Sequence, residues 1–568
     1  MYNNRYFVDV EWVDCEAKSC PLNTSDCIVV VDFFTYCCIN CLHILPILKE
    51  IENEFCEKKA FVVIGVHSAK FQNEKVSSHI KQAIEKYNIT HPVINDANCQ
   101  LWSAMSISCW PTVLILGPGN RVFFYLIGEN NISKWLRLYC NVLYNFYEQK
   151  GHFSSKSFSV LAVKNFIDKK RNLRFPAKIS LSPNQCFIAI SDSGNNRILI
   201  VDLSGKVIHV IGSSEAALKD DHFSKAAFNQ PQGVAWLSED ILFVADTNNH
   251  CIRKIIVSQE RVETIASNHS CNGGESEEMC KIVSPWDLCV VDKNKVFIAM
   301  AGSHQICVLC LTEKCDVFDK LFSSGQCHTF AGSGREENRN NRYPLKAAFA
   351  QPSGIVYSEQ HTSLFVADSE SSTIRRVYLK TGSVENVVGG SRDPLDLFAF
   401  GDKDAKAFDV RLQHPLGIAI SPYDDSLFVA DSYNHKIKQI DLKTRDCITM
   451  AGTGISGNNC NCSPLQASFN EPNGICVLEK ENILLVCDTN NHCIKKIDLI
   501  ENHVSLFDVL FEKKAHIADN FDNDVIELMT RRVSHRSEIA FEIDLKFAEN
   551  VHQTDDMQHI VRLSISGQ

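Results

Sequence analysis

Residues 31–46 have the sequence VDFFTYCCINCLHILP, which predicts a buried strand followed by a helix. The apolar run Ile28–Phe34 is rich in β-formers, as expected of a strand covered on both faces. Apolar residues then recur at helical spacing from Leu42 onwards. Cys38 and Cys41 lie between the two elements, where the partial positive charge of a helix N-terminus favours a thiolate. This is the arrangement that dithiol–disulfide exchange requires.

Further residues extend this pattern, and together they resemble the active-site segment of the thioredoxin superfamily. Asp32 lies where that family has a buried acid beneath the second cysteine, and Pro46 lies where it has a helix-kinking proline. Trp110-Pro111-Thr112 matches the family's cis-proline tripeptide, and a cis X–Pro bond is rarely incidental. The resemblance implies a thioredoxin-like fold for residues 1–150.

The resemblance also implies a role for each residue at the site. Cys38, at the predicted start of the helix, is the nucleophile, and Cys41 resolves the mixed disulfide. Asp32 takes the proton that Cys41 must lose, and Pro111 holds the substrate backbone. Cys37 replaces an aromatic residue of the family pattern, and it is either an accessory thiol or inert.

Predicted strands and helices alternate through residues 1–150, which favours a three-layer α/β sandwich around a central sheet. Helices are predicted at Glu74–Tyr87 and Ser133–Tyr147, and Pro118-Gly119-Asn120 predicts a hairpin turn. Residues 151–174 are predicted to link this domain to the next one.

One sequence unit recurs six times between residues 175 and 511. Each unit has a proline, a short strand and a very apolar strand that usually ends in Asp, as a strand inside a blade would. The units resemble NHL repeats, and each is too small to bury its own core, so they predict one closed six-bladed β-propeller. The units begin at Pro176, Pro231, Pro285, Pro352, Pro415 and Pro472.

The recurrent Asp residues allow two interpretations, metal ligands or caps for the turn after each strand. Capping is favoured because Asx side chains bond neighbouring backbone N–H groups, and because Met300 replaces the acid in the third unit. Zinc is not expected either, since structural zinc needs four ligands at familiar spacing. We therefore expect no metal and no cofactor.

The composition limits the class of protein. The chain has 568 residues, 45% of them hydrophobic, and a net charge of −11, so we expect several domains and neither nucleic-acid nor anionic-membrane binding. Many of the 25 cysteines lie in apolar strand runs, such as Cys307 and Cys487, and most are expected to be reduced core residues. Because no signal-like or membrane-spanning run is present, we expect a cytosolic protein. We also expect it to be a monomer.

The domain order and three short segments resemble the NHL repeat-containing protein 2 family. The segments are CCINC at residues 37–41, AMAG at 299–302 and EENRNN at 336–341. The resemblance implies a cytosolic protein with a third, β-stranded C-terminal domain. Residues 512–568 are too short for a whole sandwich, so we expect a shortened β-stranded segment there.

Three functions follow as alternatives. The first is thiol–disulfide exchange on a protein partner that the propeller face binds. The second is a non-catalytic interaction scaffold in which the cysteine pair is only structural, because a fold does not fix a function. The third is binding of single-stranded RNA by the propeller, which the acidic balance argues against.

Overall fold

The structure is a computed structural model that describes residues 7, 10–13, 26–55, 60–153, 171–267, 280–312, 314–317 and 320–511. The C-terminal segment predicted at 512–568 lies outside the described residues, as does most of the predicted linker. Residues 7–511 belong to one compact unit. Within the described ranges, no helix combines the length and apolarity needed to cross a membrane.

The N-terminal domain is built on a six-stranded sheet in the order β1-β4-β3-β2-β5-β6. The central strand β2 pairs parallel to β3 and antiparallel to β5. The strands are β1 (Glu11–Val13), β2 (Ile28–Phe34), β3 (Phe61–His67), β4 (Val93–Asn95), β5 (Thr112–Gly117) and β6 (Arg121–Ile127). The helices are α1 (Ile39–Phe55), α2 (Ser77–Tyr87), α3 (Gln100–Ala104) and α4 (Glu129–Gln149).

Strand β2 separates the two cores of this domain because its successive side chains point to opposite faces of the sheet. Ile28 and Val30 pack in the cluster that contains α1 and α4. Val29 and Val31 pack in the cluster that contains α3. The three-layer α/β sandwich is therefore confirmed, and the same alternation places Asp32 on the α1 side of the sheet.

The second domain is the predicted six-bladed β-propeller. The first strand of each blade contacts the first strands of both neighbouring blades, and the sixth blade contacts the first, so the ring is closed. Closure is reinforced at the rim, where Leu510 O accepts the Val207 N–H at 2.9 Å. This geometry places the first strands along the central axis and the last strands at the outer edge.

Each blade has four main antiparallel strands. Blades 1 to 3 are Pro176–Leu181, Phe187–Asp192, Arg197–Asp202, Val207–Ile211; Val234–Trp236, Ile241–Asp246, Cys251–Ile256, Arg261–Ser267; and Pro285–Asp292, Lys295–Met300, Gln305–Cys310, Cys327–Ala331. Blades 4 to 6 are Pro352–Ser358, Ser363–Asp368, Thr373–Tyr378, Val384–Gly389; Gly417–Ile420, Ser426–Asp431, Lys436–Asp441, Asp446–Ala451; and Pro472–Leu478, Ile483–Asp488, Cys493–Asp498, His503–Phe507. Short strands Asp221–His222 and Ala405–Lys406 extend two blades, and Cys315–Val317 pairs with Lys320–Phe322.

The prediction that the recurrent Asp residues cap the turn that follows them is wrong. No side-chain bond to the backbone of that turn is made by Asp192, Asp246, Asp431 or Asp488. They bond instead to the segment that leads into their own blade. In blade 2, Asp246 accepts the Asn229 backbone N–H at 2.8 Å and the Asn249 side-chain amide at 2.8 Å. It also pairs with the buried Arg253 at 2.7 Å. The equivalent backbone bond lies between 2.6 and 2.7 Å in blades 1, 4, 5 and 6. Each acid therefore ties the start of its blade to the end of the second strand.

The third blade departs from the expected reduced core. Cys307 is disulfide-bonded to Cys280, and Cys310 to Cys315. The segment before the blade lies beside its last strand, where Cys280 N–H donates to Cys327 O at 3.1 Å, and Cys307 lies on the adjacent third strand. The other 17 cysteines that the structure describes are free, Cys487 among them, so most are reduced as expected and Cys307 is an exception.

Candidate active site at the domain interface

The cysteine pair occupies the start of α1, as predicted from the sequence. Cys38 O accepts the N–H groups of Cys41 at 3.0 Å and Leu42 at 3.1 Å, so Cys38 is the N-cap residue of the helix. Cys38 is half-buried, whereas Cys41 is 0% exposed. Burial and a hydrogen bond with Cys38 raise the pKa of the Cys41 thiol well above its ordinary value. Cys38 is therefore the more accessible thiol of the pair.

Asp32 lies on the same side of the sheet as α1 and is 0% exposed. Within the described residues, neither of its carboxylate oxygens has a hydrogen-bond partner. Burial raises the pKa of Asp32 to about 7, and the charge of His91 opposes this only in part. The electrostatic influence of Asp32 reaches Cys41, whose pKa it raises further. This carboxyl group can therefore exchange a proton near neutral pH.

The predicted cis-proline tripeptide lies beside the same thiols. The Trp110–Pro111 peptide bond is cis. The Trp110 ring packs against Trp102 with ring centroids 4.5 Å apart, and it contacts the apolar cluster against which Cys38 also packs. The structure thus brings Cys38, Cys41 and Trp110-Pro111 to one place.

Cys37 lies inside the interface and is only 3% exposed. Burial raises the pKa of its thiol well above the ordinary value, and the charges of Glu370 and Glu74 raise it further. Its Sγ lies 3.7 Å from Thr35 Oγ1. A buried protonated thiol is a weak nucleophile, so an accessory role for Cys37 would require the interface to open.

Glu74 organises the loop before the cysteines, and the sequence did not indicate this role. Its carboxylate accepts the Thr35 hydroxyl at 2.7 Å and the Cys37 backbone N–H at 3.0 Å. It also accepts the N–H groups of Lys70 and Phe71 at 3.1 and 2.9 Å. Glu74 lies in a predicted polar helix start, where an acidic residue ordinarily faces solvent, so no sequence signal distinguished it.

The end of the propeller where the blades begin contacts this loop. Each residue before a blade's first proline has a left-handed backbone, with φ between 43° and 64°. In five blades, the side chain of this residue contacts the thioredoxin-like domain. We call these five residues the docking ring: Gln230, Ser284, Gln351, His414 and Glu471.

The docking ring binds the residues that flank the cysteines. Ile39 N–H donates to Gln351 Oε1 at 2.9 Å, and Gln351 Nε2 donates to Cys37 O at 2.9 Å. Ser284 Oγ lies 2.7 Å from Nε2 of His43 on α1. The first turn of α1 is therefore held by the third and fourth blades.

A buried ion pair joins the two domains beside the docking ring. The Lys70 ammonium contacts Glu370, and both side chains are 5% exposed. Burial alone would lower the pKa of Lys70 and raise that of Glu370, but their mutual attraction outweighs this and shifts both values the other way. Phe71 packs next to the pair against Phe400, with ring centroids 4.7 Å apart. The interface therefore keeps a charged pair and an apolar contact side by side.

No metal ligands gather near the cysteine pair in the described part of the chain. The group with metal-ligand proximity among those residues is Cys280, Cys307 and Cys327, whose sulfur atoms lie within 4.8 Å of one another. Two of these sulfurs form the disulfide described above.

The comparisons with known proteins cover both domains. A thioredoxin-like family model matches residues 26–122, and the NHL repeat model matches residues 228–255 and 469–497. Protein SUPPRESSOR OF QUENCHING 1, chloroplastic, of Arabidopsis thaliana is 38% identical over 502 residues, 86% of this chain and 46% of the relative. NHL repeat-containing protein 2 of Gallus gallus is 45% identical over 529 residues, 90% of this chain and 72% of the relative. The Homo sapiens protein is 44% identical over 526 residues, with the same coverage of 90% and 72%. Because relatives that are 44–45% identical match 90% of this chain and 72% of their own length, the chain belongs to the NHL repeat-containing protein 2 family.

Proposed function

We propose that the protein performs thiol–disulfide exchange on a protein partner, with Cys38 as the nucleophile. The Cys38 thiolate attacks one sulfur of the partner's disulfide, and the other sulfur leaves as a thiolate. Cys41 then gives its proton to Asp32 and attacks Cys38 Sγ. The second partner thiolate leaves, the partner has gained two electrons, and Cys38 and Cys41 are joined as a disulfide.

The observation that carries this proposal is the state of Asp32. A carboxyl group that is 0% exposed and lacks hydrogen-bond partners among the described residues destabilises a fold, so its presence at the site points to a role other than stability. Its pKa of about 7 suits a group that takes a proton from Cys41 and later returns it. A purely structural cysteine pair does not need such a base.

Trapping tests the proposal. In Cys41→Ser the mixed disulfide on Cys38 cannot be resolved, so we expect a disulfide-linked complex that a reductant releases. The matched control is Cys38→Ser/Cys41→Ser, which should capture nothing. The proposal fails if Cys41→Ser and the double variant retain the same proteins, or if wild type and Cys38→Ser reduce insulin at the same rate.

For the partner surface we propose the propeller end opposite the docking ring, because the thioredoxin-like domain occupies the ring itself. A partner bound there must extend the segment that bears its disulfide around the propeller to reach Cys38. That end opens into a cavity of about 440 Å³ that is lined by the first strands of all six blades. Tyr357 and Glu479 lie at its rim, in different blades. Tyr357→Ala should weaken capture by Cys41→Ser, and equal capture would exclude this surface.

A non-catalytic scaffold is the second candidate function. The specific observation in its favour is that Cys37 and Ile39 are already bonded to Gln351 of the propeller. A scaffold requires only the docked arrangement, so Cys38→Ser would keep every partner that wild type binds. Partner recovery with each variant, without trapping, separates the two functions.

We propose further that the protein acts as a cytosolic monomer and does not bind RNA, the third candidate. The net charge of −11 opposes a polyanion, and the docking ring is covered. A salt-dependent gel shift with single-stranded RNA, light scattering and cell fractionation test these three points separately.

A further inference from the structure

Gln351 of the fourth blade bonds to the chain on both sides of Cys38. Its Oε1 accepts the N–H of Ile39 at 2.9 Å, and its Nε2 donates to Cys37 O at 2.9 Å. One side-chain amide from the propeller thus bonds to the residues before and after the proposed nucleophile, which is 313 residues away in the sequence.

The position of this amide is fixed by the propeller. Gln351 is 2% exposed, and its backbone N–H donates to Nδ1 of His304 at 3.1 Å. Its carbonyl oxygen accepts the hydroxyl of Ser353 at 3.0 Å. Because the backbone is held in this way, the amide cannot move away from α1 without a change in the blade or in the docking of the domains.

The amide oxygen lies at the positive end of α1. Ile39 is the first residue of the helix, and its N–H is one of the donors that an α-helix leaves unpaired. The partial positive charge of these donors is what favours a thiolate at the N-cap. Gln351 Oε1, the negative end of the amide dipole, occupies one of these donors and opposes that effect at the helix start, whereas Nε2, the positive end, lies on Cys37 O outside the helix. Because Oε1 faces the helix terminus itself, we assign the effect on Cys38 to the oxygen.

We propose that Gln351 is a positioning residue through which the propeller restrains the nucleophilicity of Cys38. The inference rests on the proposed function in taking Cys38 as the nucleophile, and it adds a regulation of that site by the second domain. The contact of Gln351 with Ile39 N–H opposes the stabilisation of negative charge on Cys38 Sγ by the start of α1, and loss of the contact removes that opposition.

A charge series at one position tests this. Gln351→Met keeps the side-chain length and removes both hydrogen bonds, whereas Gln351→Glu puts a full negative charge at the start of α1. We measure the alkylation rate of Cys38 by iodoacetamide in the full chain, from the mass of its peptide. At pH 7 we expect Gln351→Met to raise the alkylation rate of Cys38 roughly 2- to 5-fold, and Gln351→Glu to lower it by at least the same factor. Changes of this size are typical of charges near a helix terminus.

Gln230 provides a matched control in the same docking ring. Its Nε2 donates to Lys86 O at 3.0 Å, so it also holds the thioredoxin-like domain. Gln230→Met and Gln230→Glu remove the same kind of contact and add the same charge, but they leave the residues around Cys38 in place. We expect both to leave the Cys38 rate unchanged. Thermal melts show that each variant is folded.

The pH profile separates this effect from a loosened structure. A change in thiolate fraction disappears at high pH, well above the ordinary thiol pKa of about 8.5, because every variant is then ionised. A rate change that persists at all pH values would mean altered access and would overturn the proposal, as would equal effects of Met and Glu or of the Gln230 variants. If the rate order holds but no protein disulfide is reduced, the inference stands and the proposed function fails. If Cys38 reacts in no variant, both fail.

Discussion

Asp32 shows how one residue connects the stability of the protein to its chemistry. Its folded-state pKa of about 7 lies above the value of about 3.9 that an unfolded chain gives. Between these two values the folded state binds more protons than the unfolded state, so the free energy of unfolding falls as the pH rises. Asp32, the proposed base, therefore lowers the free energy of unfolding at neutral pH.

Asp32→Asn should remove this pH dependence. Relative to wild type, the free energy of unfolding of the variant should rise between pH 5 and pH 7 by on the order of 1 kcal/mol per pH unit. The variant should also release the mixed disulfide on Cys38 more slowly, because an amide cannot accept the Cys41 proton. Urea unfolding at several pH values measures the first effect and single-turnover reduction the second. Parallel stability curves for both proteins would contradict the assigned pKa.

The sequence predicted the residues of the site that are close in the chain or match a known motif. Cys38 and Cys41 lie together because they share one helical turn, and β2 places Asp32 beneath them. Glu74 and Gln351 were not predicted, because each contacts the cysteine segment from far away in the sequence. The separations are 37 residues for Glu74 and 312 residues for Gln351. A single Glu or Gln has no periodic signal that would indicate such a contact.

At the scale of secondary structure, the strand Ile28–Phe34 was predicted to the residue, and two helix starts were not. The predicted helix Ser133–Tyr147 begins earlier, at Glu129. The predicted helix Glu74–Tyr87 begins at Ser77, and a 3₁₀ turn precedes it at Asn73–Lys75. The reason is that the Glu74 carboxylate turns back to the N–H groups of Lys70 and Phe71. Local hydrogen bonding of this kind competes with helix formation.

The Asp at the end of each second strand gives a prediction for a blade. Asp246→Ala should destabilise the propeller by about 3 kcal/mol, because it leaves the fully buried Arg253 without its buried partner at 2.7 Å. The shift of the propeller's unfolding transition in urea measures this cost.

Asp220 is the matched control for that experiment. It contacts the same Arg253 at 2.8 Å, but its side chain is 43% exposed. Asp220→Ala should therefore cost less than about 1 kcal/mol. Equal costs for the two variants would show that burial of the pair does not matter.

For the whole molecule, the sequence predicted both domains and the number of blades but not their docking. Hydrophobic periodicity and the repeated proline identify the blades, because every blade buries its apolar strands against its neighbours in the same way. The docking ring has different residue types in different blades, namely Gln, Ser, Gln, His and Glu. These residues all precede the first proline of a blade, but their residue types differ. The repeat pattern therefore gives no sign that they contact the other domain.

The Lys70–Glu370 pair predicts how tightly the domains are held together. Glu370→Gln keeps the side-chain shape but leaves the Lys70 ammonium buried without its counter-ion, which costs about 3–5 kcal/mol. Part of that energy can be recovered if the domains separate and water reaches Lys70. We expect amide hydrogen exchange at residues 36–42 to become at least ten-fold faster, and Cys38 alkylation to become faster with it.

The exposed pair of Arg137 and Glu50 is the control. Its side chains are 54% and 62% exposed, so Glu50→Gln changes the same kind of charge without burying one. Exchange at residues 36–42 should stay at the wild-type rate in this variant. If Glu370→Gln also leaves that exchange unchanged, the ion pair does not hold the interface closed. If exchange accelerates while Cys38 alkylation does not, opening of the domains fails to release the thiol. In that case the restraint on Cys38 comes from within the thioredoxin-like domain.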